Sequence, residues 1–144
     1  MEMKSVKWDF DQVIQGEPAS AKNQRRIVKI KGMPRLIKSA KALQYSKSFE
    51  SQVTQLDPML VGDLALRLDV WYASRRPDLA AMDLVMDLLQ GHVYENDRQI
   101  KASMSLWNLD KENPRVRVRI RRIENDVSTG TSSLTLSEIW GLEV

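Results

Sequence analysis

Arg75-Arg76-Pro77-Asp78-Leu79-Ala80-Ala81-Met82-Asp83-Leu84-Val85-Met86-Asp87-Leu88-Leu89-Gln90-Gly91, closed by Tyr94-Glu95-Asn96-Asp97-Arg98-Gln99-Ile100, is the stretch on which the reading of this chain turns. Pro77 and Asp78 predict a helix start. Proline's fixed φ suits a first helical turn, and aspartate accepts from the free amides there. Leu79, Met82, Val85, Met86 and Leu89 recur at helical spacing and predict an apolar stripe. Gly91 predicts the stop. Asp83 and Asp87 are four apart, so they lie one above the other on a helix face, where like charges repel. Two readings of that face compete: a solvated surface, or carboxylates gathered around a cation that removes the repulsion.

Working outward, Gly62 to Tyr72 alternates, with Leu64, Leu66, Leu68 and Val70 on one face. It predicts a long central strand that delivers the chain to the helix. Ser39 to Leu56 carries Ala42, Tyr45, Phe49, Val53 and Leu56 at helical spacing, a helix capped by Ser39 and ended by Asp57-Pro58. Before it, Val6 to Ile14 predicts a strand closed by Gly16-Glu17-Pro18. Arg25 to Lys31 and Arg35 to Lys38 predict two more around a Gly32-Met33-Pro34 turn. After it come Ile100 to Trp107 and the arginine-alternating Arg115 to Ile123. These elements predict an α+β fold, a single mixed sheet with two helices. Residues 1–123 form the domain. Residues 124–144 form a tail without basic residues, and its apolar cluster (Leu134, Leu136, Ile139, Trp140, Leu142) is suited to docking on the domain or a partner.

Composition narrows the chemistry. The 144 residues suit one domain with a core, and 22 basic against 19 acidic residues leave a net charge of +3. The absence of cysteine excludes disulfides, thiolate metal sites and a cysteine nucleophile. A single histidine, His92, excludes a histidine-based zinc cluster. No apolar run spans a membrane and no signal segment opens the chain, which predicts a cytoplasmic protein. Charge distribution says more than the total. Between Pro18 and Phe49 there are nine basic residues and no acidic one, a field that suits a polyanion. Basic groups bind phosphates but do not cut them. Cutting a phosphodiester with aspartates requires a divalent ion, and magnesium prefers oxygen ligands.

The Arg76-Pro77-Asp78-Leu79 motif, the helix, and the segment Asp87 to Ile100 with its Asn96-Asp97-Arg98-Gln99-Ile100 together resemble the core signature of the RusA family of Holliday junction resolvases. Gly16-x-Pro18 with Ser20 and Asn23, the basic strands and the Tyr45 helix resemble that family's N-terminal half. The similarity runs roughly from Gly16 to Ile123 and leaves out the tail. The resemblance implies a RusA-like homodimer that binds branched DNA and nicks it symmetrically with Mg2+, or with Mn2+ in its place. In a phage-encoded member the compartment is the host cytoplasm. Asp78 matches the first catalytic aspartate, and Asp97 the aspartate that follows the helix.

The chain also departs from the pattern. The family reads Asp-Leu-Asp-Asn where this sequence has Asp78-Leu79-Ala80-Ala81, and the family's helix lysine is absent. The spacing from Asp78 to Asp87 is one residue short. Either Asp83 has taken over from the missing carboxylate, or cleavage is weakened or lost and a branched-DNA-binding protein remains. A small RNA-processing nuclease with the same chemistry is a third reading. The expected metal ligands are Asp78, Asp83, Asp87 and Asp97. The expected DNA contacts are Lys22, Asn23, Arg25, Arg26, Lys29, Arg75, Arg76 and Lys101, with Arg75, Arg76 or Lys101 in place of the lost lysine.

The basic stretch sets the first prediction. On duplex DNA each neutralised phosphate contributes about −0.9 to the log–log salt slope. Replacing both Arg25 and Arg26 with alanine is therefore expected to flatten the slope in a salt titration of DNA binding. An unchanged slope and affinity would place this strand away from the DNA.

Overall fold

The computed structural model describes residues 7–19, 25–123, 125–126, 131–132 and 140. Its centre is a mixed four-stranded sheet in the order β1-β6-β4-β5. The strands are β1 (Phe10–Gln15), β4 (Leu64–Tyr72), β5 (Ile100–Leu109) and β6 (Arg115–Arg122). β4 pairs parallel with β5 and antiparallel with β6, so it is central, as its alternation predicts. β2 (Arg25–Ile30) and β3 (Met33–Lys38) form a separate antiparallel hairpin. The one-sheet expectation is corrected there: among the described residues the basic hairpin forms a second, two-stranded sheet. Its turn also falls earlier than predicted, at Lys31-Gly32, with Met33 and Pro34 already in β3.

One face of the sheet is apolar. Ile14, Leu64, Leu66, Leu68, Val70, Tyr72, Val116, Val118 and Ile120 are all fully buried there. Helix α1 (Ala40–Gln52) covers this face with Ala42, Tyr45 and Phe49, and α2 (Met82–Leu89) with Leu84, Val85, Leu88 and Leu89. Ser39 caps α1 as predicted, its Oγ accepting from the Ala42 amide at 3.2 Å. The helix ends at Gln52, before the predicted Leu56. Gln52 is tied to β1, donating from Nε2 to the Gln15 carbonyl at 3.0 Å and accepting the Gln15 amide at 2.7 Å.

The other face carries charge under cover. Asp69, 5% exposed, lies between two arginines. Arg67 donates to it at 3.1 Å and Arg119 at 2.5 Å. Arg67 also donates to the Trp140 carbonyl at 2.8 Å, fixing that tail residue against Ala65, Ile123, Trp8 and Met104. The neighbouring β6 arginines are occupied as well. Arg117 makes a two-pronged bond to Asp11 at 2.9 and 2.7 Å, and this contact chiefly holds the Asp11 carboxyl below its usual range. Arg115 pairs with Asp110 at 2.8 Å and lies 4.1 Å over the Trp71 ring. Arg115, Arg117 and Arg119 of β6 are thus engaged within the fold.

Removing one partner of a buried ion pair leaves an uncompensated charge and costs about 3–5 kcal/mol. Asp69→Asn strands both Arg67 and Arg119, so urea unfolding is expected to show a loss of that order. A change below about 0.5 kcal/mol, typical of a surface site, would contradict this account of the outer face.

Candidate active site

The central strand ends at Tyr72, which is fully buried. Its ring stacks on Trp107 with centroids 5.8 Å apart. The two aromatics then take up the next turn of chain. Tyr72 Oη donates to the Asp78 carbonyl at 3.2 Å, and Trp107 Nε1 to the Pro77 carbonyl at 3.0 Å. These bonds, one from six residues away and one from thirty, hold residues 77–80 outside the helix. The helix start predicted at Pro77-Asp78 is therefore corrected to Met82, with Ala81 at the cap position and no side-chain cap. Leu79 falls outside the helix and is exposed, while Leu84 and Leu88 join the buried stripe. The carboxylate of Asp78 is left exposed on a rigidly held turn.

A second carboxylate reaches the same place from the other end of the sequence. Gly16 follows β1 with φ of +109°, a conformation that favours glycine. Its amide donates to the Pro114 carbonyl at 2.9 Å. A Cβ at this position would lie 3.8 Å from the Tyr45 ring. The turn directs Glu17 to the strand end, where its Oε1 accepts the Ala73 amide at 2.8 Å. The Tyr72 phenol registers both acids. Burial pushes its pKa up, and the Glu17 and Asp78 carboxylates push it further, to about 12. Glu17, Lys41, Tyr45, Ser74, Arg76 and Asp78 are among the residues that line one cavity of about 790 Å³.

Asp87 and Asp97 act on a different tyrosine. Tyr94 is buried and donates to the Met86 carbonyl at 2.6 Å. Burial raises its pKa, and Asp97 and Asp87 add to the effect in that order. Asp97 opens a short 3-10 turn, Asp97–Gln99. Its amide donates to Gln90 Oε1 at 2.8 Å. Asn96 accepts the Arg98 amide at 2.9 Å, and Gln99 Oε1 accepts the Asn96 amide at 3.1 Å, a capping box. Gln99 also donates to the Leu60 carbonyl at 3.0 Å. The Asn96-Asp97-Arg98-Gln99 motif is thus a structural clamp that presents Asp97.

The acids therefore fall into two pairs by the tyrosine on which they act, Glu17 and Asp78 at Tyr72, and Asp97 and Asp87 at Tyr94. Among the described residues no three metal-ligating side chains converge. Asp83 is exposed in the first turn of α2, where a negative charge favours the helix dipole, and it acts on neither tyrosine. Of the expected DNA contacts, Arg76 lines the cavity, and Arg75, Lys29 and Lys101 are exposed. Lys22 and Asn23 lie outside the described residues, as do the side chains of Arg25 and Arg26. His92 is engaged through Nδ1 with Gln55 at 3.0 Å. Sequence reasoning missed Glu17, Lys41 and Tyr45 as neighbours of Asp78. The available signal was that Glu17 is the last acid before the uninterrupted basic stretch.

The described helices include none long and apolar enough to cross a membrane. Comparison with curated proteins finds no match. A family model does match: endodeoxyribonuclease RusA, over residues 15–121. That span runs from the end of β1 to the end of β6 and includes both helices and all five acids of the two pairs and α2. The match covers most of the chain, and the α+β fold of a mixed sheet with two helices agrees with it; the chain belongs to the endodeoxyribonuclease RusA family.

Proposed function

We propose that this chain is a divalent-cation-dependent endonuclease that recognises Holliday junctions or other branched DNA and nicks paired strands as a homodimer. The observation that carries the reading is Asp78 itself. It is an exposed carboxylate held by Tyr72 at the end of the central strand, in one cavity with Lys41 and Arg76, inside the family-matched segment. Lys41 and Arg76 suit phosphate oxygens. Clustered carboxylates repel those oxygens, and their presence beside the cations makes sense when an ion stands between them. The donors around Asp78 and Asp97 are hard oxygens, which fits magnesium or manganese.

Such an ion, when bound, lowers the pKa of a water and offsets charge on the scissile phosphate. Asp78 and Asp97 are the proposed ligands, with Asp87 beside Asp97. The β2–β3 hairpin, carrying exposed Lys29, Lys31 and Arg35, is the proposed contact to the DNA backbone. A junction offers two equivalent strands, and two sites related by a two-fold axis make paired incisions most simply. The rival reading, a binding module that does not cleave, draws on Ala80-Ala81. Ala80, half-buried on the turn, stands where the family's second aspartate falls and supplies no carboxylate.

Loss of an outer partner of a metal ligand already costs 10- to 100-fold, so loss of a ligand itself is expected to exceed roughly 100-fold. Asp78→Asn and Asp97→Asn should each abolish nicking of a four-way junction to that degree. Junction binding in chelator should be retained or tightened, because the carboxylate no longer repels phosphates. Asp83→Asn should stay within a few-fold of the parent. If Asp83→Asn is as damaging as Asp78→Asn, Asp83 has taken over the missing carboxylate's role. If Asp78→Asn and Asp97→Asn nick normally, the reading fails.

A further inference from the structure

Two carboxylates in one cavity, both pressing on the same buried phenol, are costly unless something cationic joins them. Asp78 and Glu17 are in this position around Tyr72. Their own surroundings hold them there: Tyr72 Oη takes the Asp78 carbonyl, and the next amide, Ala73, takes Glu17 Oε1. That leaves the Asp78 carboxylate and the second Glu17 oxygen for a ligand. Lys41 and Arg76 line the same cavity, yet among the described residues neither forms an ion pair with Glu17 or Asp78.

Tyr45 makes an independent observation. It lines the same cavity and is only 5% exposed, and its hydroxyl has no hydrogen-bond partner among the described residues. A buried hydroxyl without a partner is a cost that a bound group can relieve. The Tyr45 phenol lies within electrostatic reach of the Tyr72 phenol.

We propose that Glu17 and Asp78 together hold a divalent cation in this cavity, with Tyr45 at its wall, so that the N-terminal turn after β1 supplies a carboxylate to the site. The inference rests on the reading of the chain as a divalent-cation nuclease, and it names a ligand for that ion. Lys41 and Arg76, on the same cavity wall, are then positioned for the phosphodiester that the ion approaches. Magnesium commonly takes a few carboxylates and fills its remaining positions with water and phosphate oxygens, so Glu17 adds to the ligands without crowding the ion.

The test is a titration of the full chain with Mn2+ alone, without DNA, following free Mn2+ by electron paramagnetic resonance. Nicking of a four-way junction is measured on the same preparations. Glu17→Gln keeps an oxygen for the Ala73 amide, so the turn is retained while the charge is lost. It is expected to weaken Mn2+ uptake by roughly tenfold or more, in line with the loss of a ligand. Glu50→Gln, an exposed acid on α1, should titrate like the parent. If Glu17→Gln binds Mn2+ as the parent does, or if the parent takes up none, the inference is overturned. Parent nicking then decides the nuclease reading separately. If uptake falls in Glu17→Gln but the parent never nicks, the cation site stands and the nuclease reading falls.

Discussion

The bond from the Tyr72 hydroxyl to the Asp78 carbonyl is the contact on which the site depends. Tyr72 is the last residue of a strand whose apolar face is fully buried, so its ring cannot shift without opening the core. Trp107, stacked against it from β5, donates to the adjoining Pro77 carbonyl. Two aromatics on parallel neighbouring strands therefore hold two successive carbonyls, and the chain is prevented from entering α2 until Met82. The result is a short non-helical turn that points an aspartate outward. The Ala73 amide, next along, fastens Glu17 to the same strand end. Precision at the site is thus inherited from the sheet rather than from the loops.

The opposite face of the sheet explains which basic residues are free for DNA. Every β6 arginine from Arg115 to Arg119 has an internal anion or ring to meet: Asp110 and Trp71, Asp11, Asp69 and Trp8. Exposed pairs such as Arg117 with Asp11 contribute little, about 0–1 kcal/mol. The arrangement around Asp69 is different, because it binds two arginines under the cover of Trp8 and Trp140. These contacts engage Arg115, Arg117 and Arg119 within the fold. Among the described residues, the exposed cations include Lys29, Lys31 and Arg35 of the β2–β3 hairpin, Lys41, Lys47, Arg75, Arg76 and Lys101.

Much of the architecture was legible because it is periodic. β4 and β6 alternate cleanly, and α1 shows both its stripe and its Ser39 cap. The misreadings share a cause, which is interaction between residues distant in sequence. Nothing local marks that Tyr72 and Trp107 will take the carbonyls of Pro77 and Asp78, so Pro-Asp read as an ordinary helix start. Asp69 sits at a position that alternation assigns to solvent, and only the register of Arg119 and the docking of Trp140 bury it. The separateness of the basic hairpin is a pairing choice that propensity does not encode. At the site, Asp78 and Asp97 stood out through their motifs, whereas Glu17 reaches Asp78 across 61 positions of sequence through a turn at Gly16. That meeting exists only in the folded chain.

The proposed role of the turn held by Tyr72 is to present carboxylates for metal-dependent cleavage of branched DNA. The most direct measurement is incubation of the purified parent protein with an end-labelled four-way junction, in magnesium and in chelator, with the incision sites mapped on all four strands. The account predicts paired, symmetrically placed nicks in magnesium and intact strands in chelator. Tight junction binding with no incision at any magnesium or manganese concentration would contradict it.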